Sequence, residues 1–201
     1  MEKLEKFREI FEKYHRDDRE AIKLILENNK LMDYLNTEGF FTAPASTKYH
    51  GAYEGGLFDH SCNVCTVLED LTNKLQLQWK RNVSPFIVGM FHDLCKCDQY
   101  NLVKDNPEIV YQGENGNVIC TPANYHYEYN TNTLLKGHGA KSVMILSQFI
   151  HLTEEELLCI RYHMGPYEKE EWAEYDAAIR KYGTVLFTHT ADMVASKLIE
   201  K

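Results

Sequence analysis

The chain has no stretch that approaches the run of about 18 apolar residues needed for a transmembrane helix. Its most apolar segment, residues 84–94, is short and meets His92 and Asp93. The N-terminus, MEKLEKFREIFEKYHRDDRE, is charged throughout and lacks the apolar core of about 7–15 residues that a signal peptide requires. No membrane association is expected, and the chain is read as cytoplasmic. Basic residues are in deficit, with 22 Lys and Arg against 30 Asp and Glu and a formal net charge of -8. Affinity for a long nucleic-acid backbone comes mainly from Lys and Arg neutralising phosphates, so no long nucleic acid is expected as a partner. A small anionic ligand remains compatible, because one or two bound cations can supply the local positive charge.

No second CxxC accompanies Cys62-Ser-Asn-Cys65. That pair is a weak metal or redox signal, and small buried side chains on a helix are the plainer reading. The six cysteines (Cys62, Cys65, Cys95, Cys97, Cys120 and Cys159) sit in a chain without an export signal and read as free thiols rather than three disulfides.

What is present is a globular balance: 44% hydrophobic and 26% charged residues in 201. Leu4, Phe7, Phe11 and Tyr14 recur at helical spacing and predict a first helix over 2–14. Asp17 or Asp18 caps a second, carrying Ile22, Leu26 and Leu31 until residues 36–39 break it. Residues 41–56 hold Pro44, Gly51, Gly55 and Gly56 and read as a loop that delivers the chain to His60. His60 opens a long helix marked by Val64, Val67, Leu68, Leu71 and Leu75. Ser84-Pro85 opens another, with His92 and Asp93 near its end.

Residues 98–135 differ in character. Residues 108–111 and 118–120 flank a Gly- and Asn-containing stretch, the composition of a small β-hairpin. The aromatic exit, Tyr125-His126-Tyr127-Glu128-Tyr129, either covers a ligand or faces solvent. Helices resume at Gly139 and at Thr153, which forms a capping box with Glu156, and Gly165-Pro166 stops the latter. Two more follow over 172–182 and 184–199. The expected fold is all-α: one helical domain over 1–201, with helices in 1–40 packing on it and a β-hairpin or irregular insertion around 100–135.

Six good metal ligands fall in or near core helices: His60, His92, Asp93, His138, His163 and Asp192. Burying a histidine beside an ionised carboxylate is costly unless a metal or strong hydrogen bonds satisfy both. The ligand set suits one or two divalent transition ions, among Mn, Fe, Co, Ni and Zn, with Mg also allowed.

The order His60, then His92-Asp93-Leu94-Cys95-Lys96, then Asp192 in His189-Thr-Ala-Asp192 resembles the H…HD…D pattern of the HD superfamily of phosphohydrolases. Gly55-Gly56-Leu57-Phe58-Asp59-His60 is similar to that family's GGLxxH entry, and Lys96 to the lysine of its HDxxK form. Gly137-His138-Gly139 and Arg161-Tyr162-His163 resemble the additional histidines of members that hold two metals. The resemblance covers residues 49–199 and is closest to the small free-standing HD proteins of bacteria and their phages. It implies an HD-domain helical bundle and a phosphohydrolase acting on a nucleotide or related small phosphate ester through a metal-activated water. His60, His92, Asp93 and Asp192 would hold the first ion. Asp93 would bridge to a second, held by His138 and His163.

Around this set, Lys96 is read as meeting a phosphate oxygen or the attacking water, or as a solvated helix-end lysine. His189 either serves the leaving group or is a core histidine. His50 and Arg161 are substrate-binding candidates, with Lys141 and Tyr167 weaker ones. Two other functions stay open: a phosphodiesterase for cyclic or short oligonucleotides, and a non-catalytic module that senses a nucleotide or metal. A homo-oligomer is compatible with the sequence.

Overall fold

The computed structural model describes residues 2–105, 109–112, 118–120, 124–135, 137–166, 169 and 171–200. The chain is mostly α-helical with a small β insertion, as the periodicity predicts. Helix α1 (Glu2–His15) buries Phe7 and Phe11 on the face the spacing defines. The next expected helix is two short ones, α2 (Arg19–Leu24) and α3 (Asn29–Thr37). Its continuous apolar pattern is interrupted because Asn28 caps α3 through its side chain, just as Asp18 caps α2. Competition from a second capping residue outweighs the helical period.

The core of the fold is the antiparallel pair α4 (Gly56–Leu75) and α5 (Ser84–Phe91). Gly89 makes their close approach possible: a Cβ there would lie 2.5 Å from the Cα of Cys65. Helices α6 (His138–Leu146), α7 (Glu154–Arg161), α8 (Glu171–Lys181) and α9 (Thr184–Val194) complete the helical layer, α7 and α9 packing on the central pair. Phe7, Phe11, Phe40, Phe58, Phe86 and Phe91 are fully buried between them. Burying each such side chain contributes about 1.5–3 kcal/mol, so this aromatic cluster is a large part of what fixes α1 to the central pair.

A polar network locks the start of α5 to α7. The buried Glu156 carboxylate accepts from Arg81 Nε and Nη2 at 2.7 and 2.6 Å and from Ser84 Oγ at 2.7 Å. Glu156 also closes the predicted capping box with Thr153. Helix α5 does not continue as α-helix through Lys96: after His92 the chain tightens into a 3-10 turn, Leu94–Asp98. Helix α9 likewise passes into a π-helical turn, Ala195–Ile199.

The insertion is two antiparallel ribbons. β1 (Tyr100–Lys104) pairs with β4 (Tyr125–Tyr129), Tyr100 lying opposite Tyr129. β2 (Ile109–Gln112) pairs with β3 (Val118–Cys120), the strands of the expected hairpin; its turn, 113–117, lies outside the described residues. Cys62, Cys65, Cys95, Cys97 and Cys159 are free thiols. No helix among the described residues is long and apolar enough to cross a membrane.

Candidate metal centre

Four helical segments converge on Asp93. It sits between the end of α5 and the 3-10 turn and is almost fully buried. One carboxylate oxygen, Oδ1, lies 2.8 Å from His138 Nε2 and 3.3 Å from His163 Nε2. The other, Oδ2, lies 3.4 Å from His92 Nε2, 3.7 Å from His60 Nε2 and 2.7 Å from Lys96 Nζ. Asp192 of α9 places Oδ1 3.2 Å from His60 Nε2. All six residues singled out as ligands in the sequence therefore meet in one place.

The outer ring nitrogens are held from behind. His92 Nδ1 donates to Gly89 O at 2.8 Å and His163 Nδ1 to Ile160 O at 2.7 Å. A nitrogen facing a carbonyl must carry the proton, so the Nε2 atoms of both rings present lone pairs inward. His60 Nδ1 faces both carboxylate oxygens of Glu200, at 3.0 and 3.2 Å, and Asn63 Nδ2 donates to the same carboxylate at 2.9 Å. Carbonyls and carboxylates behind imidazoles are the usual means of fixing tautomer and aim in metal sites.

The inward atoms are left without satisfactory partners. Asp93 Oδ1, His138 Nε2 and His163 Nε2 are buried and have no hydrogen-bond partner among the described residues, despite their close approach to one another. His60 Nε2 and His92 Nε2 stand 3.3 Å apart. Buried polar atoms are rarely left unpaired, and a bound cation would satisfy several of these at once. The donors fit one: the ligand atoms of His60, His92 and Asp93 lie within 4.8 Å of one another, and so do those of Asp93, His138 and His163. These buried His and Asp groups can hold metal ions, with Asp93 common to both sets.

Charge reinforces the geometry. Burial opposes ionisation of Asp93, but Lys96 and then His92 overcome it and hold the carboxyl well below the usual range. Asp192 and Glu200 are also held down against burial, foremost by the hydrogen bonds from His60. Burial works against a charge on His60 too, yet its bonds to Asp192 and Glu200 raise it to about 9. Burial, helped by His163 and His60 and opposed by Asp93, pulls His92 below the ordinary histidine value. Without a cation, a proton on His60 partly neutralises the three carboxylates around it; binding an ion requires that proton to leave.

A cavity of about 260 Å³ opens on this cluster and is lined by His50, Lys96, His138, His189 and Asp192. The ring of His50 lies 4.8 Å from that of His60, and burial, then His60 and Lys96, lower its pKa. His189 Nδ1 donates to His163 O at 2.7 Å. The structure does not bring Arg161 into this cavity. It lines a separate recess on the far side of His138, 3.8 and 3.7 Å from the carboxylates of Glu171 and Glu174, because α7 ends there and directs its last side chain toward α8. Lys141 is buried and engaged with Asp98 and Thr133, tying α6 to the insertion. Tyr167 lies outside the described residues.

Glu200 and Asn63 escaped the sequence reading. Glu200 falls eight residues after Asp192, two helical turns, which is a usable spacing; the π turn between them then sets where it faces. Of the two tyrosines at the cavity wall, Tyr129 was signalled only within an aromatic-rich stretch and Tyr100 was not signalled at all. No protein-family model, curated protein or solved structure matches the chain. The likeness to the HD superfamily therefore stands on the residue pattern.

Proposed function

We propose that the chain is a metal-dependent phosphohydrolase of the HD type that cleaves a phosphate ester of a nucleotide or related small molecule. The observation that carries this reading is the pair of overlapping ligand sets sharing Asp93, with buried inward atoms that no hydrogen bond satisfies. Held there, divalent ions would lower the pKa of water and polarise the oxygens of a phosphoryl group. The donor types admit Mn, Fe, Co, Ni or Zn, and Mg less readily.

The protein's own groups have distinct parts in such a reaction. His60, His92 and Asp192 would hold one ion, His138 and His163 the other, and Asp93 both. Lys96, paired with Asp93 Oδ2 at 2.7 Å and lining the cavity, keeps Asp93 ionised and offers a compact positive charge to a phosphate oxygen. His189 donates from Nδ1 to the His163 carbonyl, which leaves the Nε2 lone pair as the one able to take a proton from the attacking water, and Nε2 would give that proton to a leaving oxygen only after receiving it. His50, kept neutral by burial, can hydrogen-bond substrate without adding charge.

A phosphodiester is the second reading, favoured by the recess of about 360 Å³ on the other side of His138, which leaves room for a second substituent on phosphorus. The experiment is elemental analysis of the purified protein together with phosphate release from mononucleotides, supplied with Mn, Co, Ni or Mg, beside a panel of diesters. Metal with monoester turnover supports the leading reading. Turnover of diesters alone selects the second, and metal without turnover of either class rejects hydrolysis in favour of a sensing module.

A further inference from the structure

The cavity beside the metal cluster has two unlike walls. One is built of helix and carries the ligands, Lys96, Ser196 and Lys197; the other is the root of the β1–β4 ribbon and presents Gln99, Tyr100 and Tyr129. Tyr129 pairs with Tyr100 across the ribbon, the two rings 5.3 Å apart. Tyr100 is half-buried and its hydroxyl accepts from Gln99 Nε2 at 3.1 Å, so this ring is anchored. Tyr129 is 66% exposed although it borders the cavity. A large aromatic ring left open to solvent, backed by a fixed neighbour and facing an anion-binding wall, is the arrangement that stacks a planar base.

We propose that the root of the β1–β4 ribbon is the nucleobase subsite of this site, with Tyr129 as the stacking, specificity-determining residue. The inference rests on the phosphate-ester reading above and narrows its substrate class to mononucleotides. Size agrees: the cavity, about 260 Å³, lies just below the usual range of ligand pockets, which is too small for a chain of nucleotides. Gln99 supports the assignment. Its Nε2 donates to the Tyr100 hydroxyl at 3.1 Å, which holds the side-chain amide on the same wall, where its oxygen and second N–H can meet the edge of a base. Gln99 and Tyr129 also border the neighbouring recess that reaches His138, which places the wall directly beside the ligand set.

The test compares binding with turnover in the full chain. Equilibrium binding of AMP, GMP, CMP and UMP, supplied as their non-hydrolysable phosphonate analogues, is measured in metal-loaded protein against the same analogue of ribose 5-phosphate, which has the sugar and the anionic group but no base. Wild-type protein should bind at least one mononucleotide about tenfold more tightly than ribose 5-phosphate, the worth of a single stacking contact. Tyr129→Ala should erase that preference while leaving ribose 5-phosphate binding unchanged, and Tyr129→Phe, which keeps the ring, should retain it. Equal binding of ribose 5-phosphate and all four mononucleotides, no binding of any mononucleotide, or full preference in Tyr129→Ala overturns the subsite. Base-dependent binding of the analogues, without phosphate release from the mononucleotides themselves by metal-loaded protein, leaves the subsite standing and overturns the hydrolase reading alone.

Discussion

Replacing Glu200 with glutamine removes one negative charge from behind His60 while keeping its volume and one acceptor oxygen. Glu200 takes the His60 Nδ1 contact at 3.0 Å, and its side chain is only 12% exposed, so solvent does not make good the loss. Losing a carboxylate behind a ligating imidazole weakens metal affinity about 10–100-fold, which is about 1.4–2.7 kcal/mol. A second effect runs the other way. In metal-free protein His60 titrates at about 9, so at pH 7 an incoming ion must displace a proton held about two pH units tight. Glu200→Gln weakens the hold on that proton and so offsets part of its own cost at pH 7. At pH 9.5 the proton competes little and nearly the full loss shows. Chelator competition for zinc at pH 7 and pH 9.5 measures both. The expected result is a 10–100-fold loss at the higher pH and a smaller one at pH 7. Asn63→Ala, which removes only the amide bonded to Glu200 at 2.9 Å, should cost less than either. Wild-type affinity at pH 9.5 in Glu200→Gln would refute the reasoning.

Asp93→Asn should strip the metal, abolish turnover and leave the buried Lys96 ammonium unpaired, at a cost of about 3–5 kcal/mol in urea unfolding. Adding Lys96→Met should restore stability without restoring activity; an Asp93→Asn protein as stable as wild type would show that the pair does not bind as drawn. The metal-free protein should lose stability as pH rises. The folded-state pKa of His60 is raised to about 9, so the stabilisation from its carboxylate partners is complete below about pH 6.5 and fades through about 9. Melting temperatures in EDTA that stay level or climb from pH 6.5 to 9.5 would contradict this. Gly139→Ala forces a Cβ to within 2.2 Å of Arg161 O and 2.6 Å of Ile160 O, pushing α6 from α7. It should destabilise by about 1–3 kcal/mol and reduce bound metal through displacement of His138, with unchanged metal content as the refuting outcome.

Local signals in this chain were strong where one residue type dominates its surroundings. The period of Phe7 and Phe11, Pro85 in the first turn of α5, and the Thr153 and Glu156 capping box each act within a few residues, and each element formed accordingly. The single helix expected across residues 22–31 divides because Asn28, a polar residue within an apolar period, caps a new helix through its side chain. Lys96 meets Asp93 through a 3-10 turn, because i and i+3 side chains align in that tighter winding.

What the sequence by itself determined is the helical class, with its small β insertion, and the set of candidate ligands: His60, His92, Asp93, His138, His163 and Asp192 are the residue types able to hold a metal ion, and their identity is written in the chain. Tertiary structure decided which atoms meet. The split of Asp93 into two oxygens serving two sets, the placing of Glu200 behind His60, the diversion of Arg161 to another recess and the approach of Tyr129 to the cavity depend on contacts between segments far apart in sequence. Periodicity reports which face of an element turns inward; it carries no information on which distant element that face will find.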